Sequence, residues 1–279
     1  MWDSIGIIGS GRMGSQLVIE LLLFNKNVYL YVSKKYNTAL LMEDYRKKME
    51  KRKVMTCELA QLNNLKIVTE LSDLSNCGLI IEAITEKEDS KYILMKELSE
   101  ILSENTVMAT NTSSISVTDF ADHYKYPGQV IGLHFFNPVK NMKLVEVVKT
   151  KYTSPTLIKN AIKFVYSLDK IPVCVKDSVG FIVNRLLLGQ INDAINLYDQ
   201  GIADVQEIDS AIKLGLNHPM GPFELADYIG LDVCQAILLQ LYKSTGEKRY
   251  IPAKSLYDKN NNHEYGRKTG KGYYDYTKE

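Results

Sequence analysis

The chain has 279 residues, 45% hydrophobic and 24% charged, a balance that can build a sizeable core and excludes a disordered chain. Its 34 Lys and Arg face 33 Asp and Glu, a formal charge of +1, so no global field recruits nucleic acid or a membrane and any anion site is local. The four cysteines, Cys57, Cys77, Cys174 and Cys234, have neither a C-x-x-C pair nor metal-ligand spacing, which argues against a metal site and a disulfide scaffold and for reduced thiols in a cytoplasm.

The first apolar run, Ile5 to Ile8, is strand length, so neither a secretory signal nor a membrane span is expected from it. It runs into Gly9-Ser10-Gly11-Arg12-Met13-Gly14 and a helical stretch from Arg12 to Phe24. A G-x-G-x-x-G between strand and helix is the dinucleotide fingerprint: Gly9 makes the tight turn, Gly11 admits the pyrophosphate to the backbone, and Gly14 lets helix and strand pack closely. The helix N-terminus adds N–H groups and a positive partial charge for the phosphates. An NAD enzyme ordinarily ends its second strand in Asp or Glu, but the run Val28 to Val32 ends in Val32. Ser33, Lys34 and Lys35 follow, a hydroxyl and two cations suited to a 2′-phosphate, so a preference for NADP(H) is expected, with NAD(H) left open. The alternative is that Lys34 and Lys35 are a solvated helix start.

Lys34 to Lys53 reads as the next helix, carrying the one local basic cluster, Arg46-Lys47-Lys48-Met49-Glu50-Lys51-Arg52-Lys53. That run is too short, and too poor in aromatic platforms, for nucleic acid. Strands over Leu65 to Val68, Leu79 to Ile84, Val107 to Ala109, Val130 to Phe136 and Leu144 to Val148 alternate with helices over Lys87 to Leu102 and Thr156 to Leu168. This order predicts an α/β fold, a Rossmann-type doubly wound sheet covered on both faces. After Ile171 to Asp177 the strand signals stop, and Val179 to Tyr198, Val205 to Leu214, Pro222 to Ile229 and Val233 to Tyr242 read as helices. The expected domains are residues 1–177, dinucleotide-binding, and residues 178–279, all-α. Lys259-Asn260-Asn261-Asn262 reads as a solvated loop.

Polar motifs follow in order: Asn111-Thr112-Ser113-Ser114, His134-Phe135-Phe136-Asn137-Pro138, Met142-Lys143-Leu144-Val145-Glu146 and Asn184-Arg185. Asn217-His218-Pro219-Met220-Gly221-Pro222 and Gly266-Arg267-Lys268-Thr269-Gly270-Lys271-Gly272-Tyr273-Tyr274 lie in the helical part. With these the chain resembles, over essentially its whole length, the 3-hydroxyacyl-CoA dehydrogenase family, whose short-chain bacterial members are 3-hydroxybutyryl-CoA dehydrogenases. The chemistry suits the residues. Oxidising a secondary alcohol needs a base for the hydroxyl proton, a task for His134, with Glu146 holding the other ring nitrogen.

The resemblance implies that Ser113 and Asn184 hydrogen-bond the substrate and that Glu86, Lys91, Asn137 and Lys268 contact the cofactor. It matches Lys51 to a CoA-phosphate lysine, the alternative being a solvated helix face. It also implies a homodimer through the helical domain, with the active site in the cleft between domains. Lys140 and Asn141 stand where the family usually has small or apolar residues, which leaves a more polar acyl group open. A hydroxyacyl group on an acyl carrier protein, whose acidic face would meet the basic helix, is the second reading. A catalytically silent dinucleotide-binding protein, crystallin-like, is the third, disfavoured by the joint presence of Ser113, His134, Glu146 and Asn184.

Overall fold

The computed structural model describes residues 2–52 and 59–277, and the chain divides into two compact units, Met1–Ser178 and Val179–Glu279. The first unit holds one sheet of β1 (Ser4–Ile8), β2 (Asn27–Tyr31), β3 (Leu65–Val68), β4 (Leu79–Glu82), β5 (Val107–Thr110), β6 (Val130–Phe135), β7 (Leu144–Lys149) and β8 (Ile171–Lys176). The spatial order is β3-β2-β1-β4-β5-β6-β7-β8. β7 runs antiparallel to β6, and the other neighbouring pairs are parallel. Helices α1 (Arg12–Leu23), α2 (Thr38–Lys51), α3 (Glu88–Ile101), α4 (Val117–Asp122) and α5 (Pro155–Tyr166) join the strands. This is the Rossmann-type doubly wound sheet that the alternation predicts.

β4, β5 and β6 are buried at every residue, the pattern of strands covered on both faces. On α1, Leu17, Val18, Leu21 and Leu22 are at most 1% exposed and join the same core as Ile5 and Ile7 of β1. Truncating one of these leucines to Ala removes about 2–5 kcal/mol of stability.

Two readings of this unit need correction. The helix expected from Lys34 begins at Thr38, because the Asn37 side chain accepts from Ala39 N at 3.1 Å and Leu40 N at 3.2 Å and caps it there. It is described to Lys51, and Lys53 and Cys57 lie outside the described residues. α4, which the sequence reading lacked, is held at its start by Asp177, whose carboxylate accepts from Ser116 Oγ at 2.8 Å, Val117 N at 3.1 Å and Thr118 N at 2.7 Å.

The second unit contains α6 (Val183–Asp199), α7 (Val205–Gly215), α8 (Pro222–Ile229), α9 (Leu231–Thr245) and α10 (Lys254–Asn261). α10 overturns the loop expected at Lys259-Asn260-Asn261-Asn262. Its Leu256 is fully buried, and Asn260 Nδ2 donates to the Leu231 carbonyl at 3.1 Å and to Gln235, so tertiary bonds override a poor helical composition. Two buried carboxylates organise the motifs of this unit. Asp209 accepts from Phe223 N at 2.8 Å, Glu224 N at 3.0 Å and Tyr274 Oη at 2.8 Å. Asp227 accepts from Tyr273 N at 3.0 Å and Tyr274 N at 2.9 Å, and burial raises its pKa. Gly272 is required there, since a Cβ would lie 2.0 Å from Asp227 Oδ1. Among the described residues no helix is long and apolar enough to cross a membrane.

Candidate active site

Because β1, β4, β5 and β6 run parallel, the loops leaving their carboxyl ends share one edge of the sheet, where open α/β sheets bind ligands. The loop after β1 carries Gly9, Ser10 and Gly11. Gly9 has φ +115°, and a Cβ there would lie 2.6 Å from the Ala83 carbonyl oxygen. A Cβ at Gly14 would lie 1.9 Å from the Gly9 carbonyl oxygen, while one at Gly11 would meet nothing within 4 Å. α1, which starts with Arg12, Met13 and Gly14, has no side-chain cap and no acidic residue in its first turn. A tight turn, an open approach at Gly11 and an uncapped positive helix end fit a dinucleotide pyrophosphate.

At the end of β2, Val32 is buried and its N–H donates to the Val68 carbonyl at 3.0 Å. Ser33 is exposed. Lys34 Nζ lies 2.6 Å from the Glu70 carboxylate, which raises the lysine pKa by hydrogen bond and charge. The cation offered to a 2′-phosphate thus already faces a carboxylate.

After β4 the chain builds an acid–base cluster. Glu82, fully buried, accepts from Ile84 N at 2.7 Å, Thr110 Oγ1 at 2.7 Å and Lys91 Nζ at 3.0 Å. Lys91, 1% exposed, also pairs with Glu86 at 2.8 Å. Glu86 Oε1 gathers the turn after β5, accepting from Thr112 Oγ1 at 2.5 Å, Ser113 N at 2.8 Å, Ser114 N at 3.1 Å and Ser114 Oγ at 3.0 Å. Burial pushes the Glu86 pKa up, but the Lys91 ammonium and these donors overcome it and hold the group below the ordinary carboxylate value. For Glu82 burial prevails and the pKa is raised.

The same edge carries His134 on β6, in register with Glu146 on β7. His134 Nδ1 lies 2.7 Å from Glu146 Oε2, with the residues 4% and 0% exposed. Beyond β6, Asn137 begins a loop with a cis peptide bond to Pro138. Its Oδ1 accepts from Gln16 Nε2 of α1 at 2.8 Å.

A dinucleotide cradle, a clamped serine turn and a buried His–Glu pair at one sheet edge are the parts of a hydride-transfer site. The NAD-binding domain model of the 3-hydroxyacyl-CoA dehydrogenases matches residues 4–178, and their C-terminal domain model matches residues 180–276. The chain belongs to that family. It is an NAD-dependent dehydrogenase of the 3-hydroxyacyl-CoA and 3-ketoacyl-CoA couple. The dehydrogenase is 42% identical to a 3-hydroxybutyryl-CoA dehydrogenase of Clostridioides difficile over 283 residues, covering 98% of this chain and 99% of the relative. It is 38% identical to a 3-hydroxybutyryl-CoA dehydrogenase of Bradyrhizobium diazoefficiens, covering 98% and 94%. The crystal structure of (S)-3-hydroxybutyryl-CoA dehydrogenase from Ralstonia eutropha superposes with a TM-score of 0.93 at 36% identity, covering 99% of this chain and 100% of that one.

The other expected site residues of the dehydrogenase fall in two places. Lys51, at the end of α2, lines a cavity of about 520 Å³ with Gly11, Arg12, Gln16 and Lys48. Asn184 is the second residue of α6, and Lys268 pairs with Asp232, both in the second unit. Lys140 and Asn141 are exposed in the loop after Pro138. Asn111, read in the sequence only as part of a polar motif, and Lys170 and Gln16, which the sequence reading does not single out, also build this region. Asn111 accepts from Phe135 N at 2.8 Å and joins the ends of β5 and β6. Lys170, 2% exposed, donates to the Val139 carbonyl at 2.6 Å and the Met142 carbonyl at 3.2 Å and pairs with Glu20 of α1 at 3.1 Å. Gln16 also accepts from Val139 N at 2.8 Å. Nothing in the sequence of α1, where Ser15 and Glu20 are polar as well, sets Gln16 apart.

Proposed function

We propose that this dehydrogenase takes a short acyl chain, interconverting 3-hydroxybutyryl-CoA and acetoacetyl-CoA with NAD(H), and that His134 is its general base and acid. The observation that carries the reading is the buried His134–Glu146 pair at 2.7 Å. An ionised carboxylate only accepts, so Nδ1 carries the hydrogen and the neutral ring keeps its lone pair on Nε2. In oxidation the alcohol O–H bond breaks, its proton passes to Nε2, and the C3–O bond becomes a carbonyl. NAD(H), when bound, supplies the hydride chemistry at C3. Glu146 balances the positive charge of the protonated ring, and in reduction the proton returns to the carbonyl oxygen.

Ser113 hydrogen-bonds the substrate from a turn that Glu86 holds, and Asn184 is the second substrate hydrogen-bonding residue. The Gly9 to Gly14 backbone takes the pyrophosphate, with Val32, Ser33 and Lys34 toward the adenosine end and Glu86, Lys91, Asn137 and Lys268 as further cofactor residues. Lys51, in a cavity that also presents Arg12 and Lys48, is suited to the CoA phosphates. The short acyl chain is supported by the 3-hydroxybutyryl-CoA dehydrogenases to which the chain is similar. Dimerisation through the second unit is supported by its exposed Ile202 and Leu214, 67% and 87% accessible. Buried free thiols at Cys77 and Cys234 accord with a reducing cytoplasm.

The test is a spectrophotometric assay of the purified protein with acetoacetyl-CoA, longer 3-ketoacyl-CoA thioesters and acetoacetyl carrier protein, each with NADH and NADPH. The expected result is the highest kcat/KM with acetoacetyl-CoA and NADH. Faster turnover of the carrier-bound substrate would replace CoA as the handle, and dinucleotide binding without turnover of any thioester would sink the enzymatic reading.

A further inference from the structure

We infer that Gln16 fixes the orientation of the Asn137 amide and thereby makes Asn137 a hydrogen-bond donor toward the cofactor. This rests on the proposal above that Asn137 contacts the cofactor. The argument is one of donor and acceptor complement. The Val139 N–H can only donate, and it meets Gln16 at 2.8 Å, so the Gln16 atom facing it is the carbonyl oxygen. The other end of the Gln16 amide is therefore the NH2 group. It points at Asn137 at 2.8 Å, where only an oxygen can accept. Asn137 Oδ1 is thus turned toward α1, and its NH2 hydrogens are directed elsewhere. Each amide orientation follows from a backbone group whose role has no alternative.

The first link of this chain is itself held. The Val139 carbonyl accepts from the buried Lys170 ammonium at 2.6 Å, and Lys170 is paired with Glu20 at 3.1 Å, one helical turn after Gln16 on the same helix. The peptide that carries the Val139 N–H is held at its other end as well, where the Pro138 carbonyl accepts from Asn141 N at 3.0 Å and Met142 N at 3.1 Å, so it cannot turn over without breaking those bonds. Helix α1 bears the pyrophosphate cradle at its start and, one turn later, sets the polarity of a side chain three residues beyond His134. A donor at Asn137 selects an acceptor oxygen of the dinucleotide, such as a carboxamide carbonyl or a ribose hydroxyl.

The experiment compares Gln16→Glu, Gln16→Ala and Asn137→Ala, and the double variant Gln16→Glu/Asn137→Ala, by NADH fluorescence titration and steady-state reduction of acetoacetyl-CoA. The carboxylate of Gln16→Glu still accepts from Val139 but sets an oxygen against Asn137, so the Asn137 amide turns over and offers its carbonyl to the cofactor. The expected loss in kcat/KM for NADH is about tenfold for Gln16→Glu and smaller for Gln16→Ala, which leaves Asn137 able to turn either way. A merely structural role predicts the reverse order. In the Asn137→Ala background Gln16→Glu is expected to cost nothing more, whereas simple repulsion between the new charge and the cofactor phosphates persists there and overturns the inference. Asn137→Ala without effect removes the cofactor role of Asn137 and this inference with it. Asn137→Ala damaging while Gln16→Glu is silent overturns the inference alone.

Discussion

His134 and Glu146 are register partners on antiparallel strands, and the imidazole Nδ1 meets the carboxylate at 2.7 Å. Cross-strand neighbours project from one face of a sheet, so the backbone ladder itself aligns the pair and no loop has to order to bring them together. His134→Gln is expected to lower kcat about 10²–10⁴-fold while NADH binding persists. Glu146→Gln tests the tautomer: an amide can donate to Nδ1 and move the ring hydrogen to Nε2, where it blocks proton abstraction. A comparable loss in Glu146→Gln, and little further loss in the double variant, is the expected outcome of steady-state kinetics. Near-native turnover in Glu146→Gln would remove the orienting role.

The Glu82–Lys91–Glu86 cluster carries a stability prediction. Lys91 bridges both carboxylates from a buried position. Lys91→Met leaves Glu82 with no cation and is expected to cost about 3–5 kcal/mol, read from urea unfolding at neutral pH. The acid limb is set by Glu86. Its folded pKa lies below the ordinary 4.5, so its contribution is present above that value and is lost as the pH falls through the depressed one. Glu82 is raised and works in the opposite sense, contributing below 4.5 and losing that contribution as the pH rises through its folded value. Glu86→Gln should therefore flatten the fall of Tm below pH 4.5 relative to the parent protein. An unchanged acid limb would show that Glu86 is not held by Lys91.

The strands and the glycine cradle were legible in the sequence because each is a local signal: short apolar runs bounded by turns, and three glycines at one strand-to-helix junction. The start of α2 departs from the expectation at Lys34 because the Asn37 side chain caps Ala39 N and Leu40 N, and it is this cap that sets where the helix begins. α10 was lost for a different reason: its stability comes from the burial of Leu256 and from Asn260 reaching Leu231. The partners of Gln16 lie 121 and 123 residues away, and the carbonyls that Lys170 reaches lie 31 and 28 residues away, with Glu20 farther still, so no spacing rule exposes them. His134 and Glu146 were readable as residue types suited to the chemistry, but their register came only from the sheet.

Cofactor choice turns on an exposed pair. Val32 offers no carboxylate at the end of β2, yet Glu70, which follows β3, reaches Lys34 at 2.6 Å and restores a negative charge beside it. A 2′-phosphate there has to displace or oppose Glu70. Glu70→Gln is expected to raise kcat/KM for NADPH severalfold and leave that for NADH nearly unchanged, without altering Tm, since exposed ion pairs add little stability. Equal kinetics with NADPH before and after the change would place the 2′ selection elsewhere.

The cradle makes a sharper prediction, because two of its glycines are needed for different reasons. Gly14 is needed by the protein, since its Cβ would lie 1.9 Å from the Gly9 carbonyl oxygen, a collision with backbone that only a shift of α1 relieves. Gly11 is needed only by a ligand. It has φ −68°, open to any residue, and its Cβ would meet no atom within 4 Å. Gly11→Ala should fold with an unchanged Tm and lose NADH affinity by about tenfold or more, because the added methyl occupies the approach of the pyrophosphate to the backbone. Gly14→Ala should lose both, with Tm lowered and binding weakened together. Thermal unfolding and NADH fluorescence titration of the two variants separate these outcomes. If Gly11→Ala binds NADH as the parent does, the pyrophosphate does not lie over Gly11, and the cradle would have to be sought at another loop of the same sheet edge.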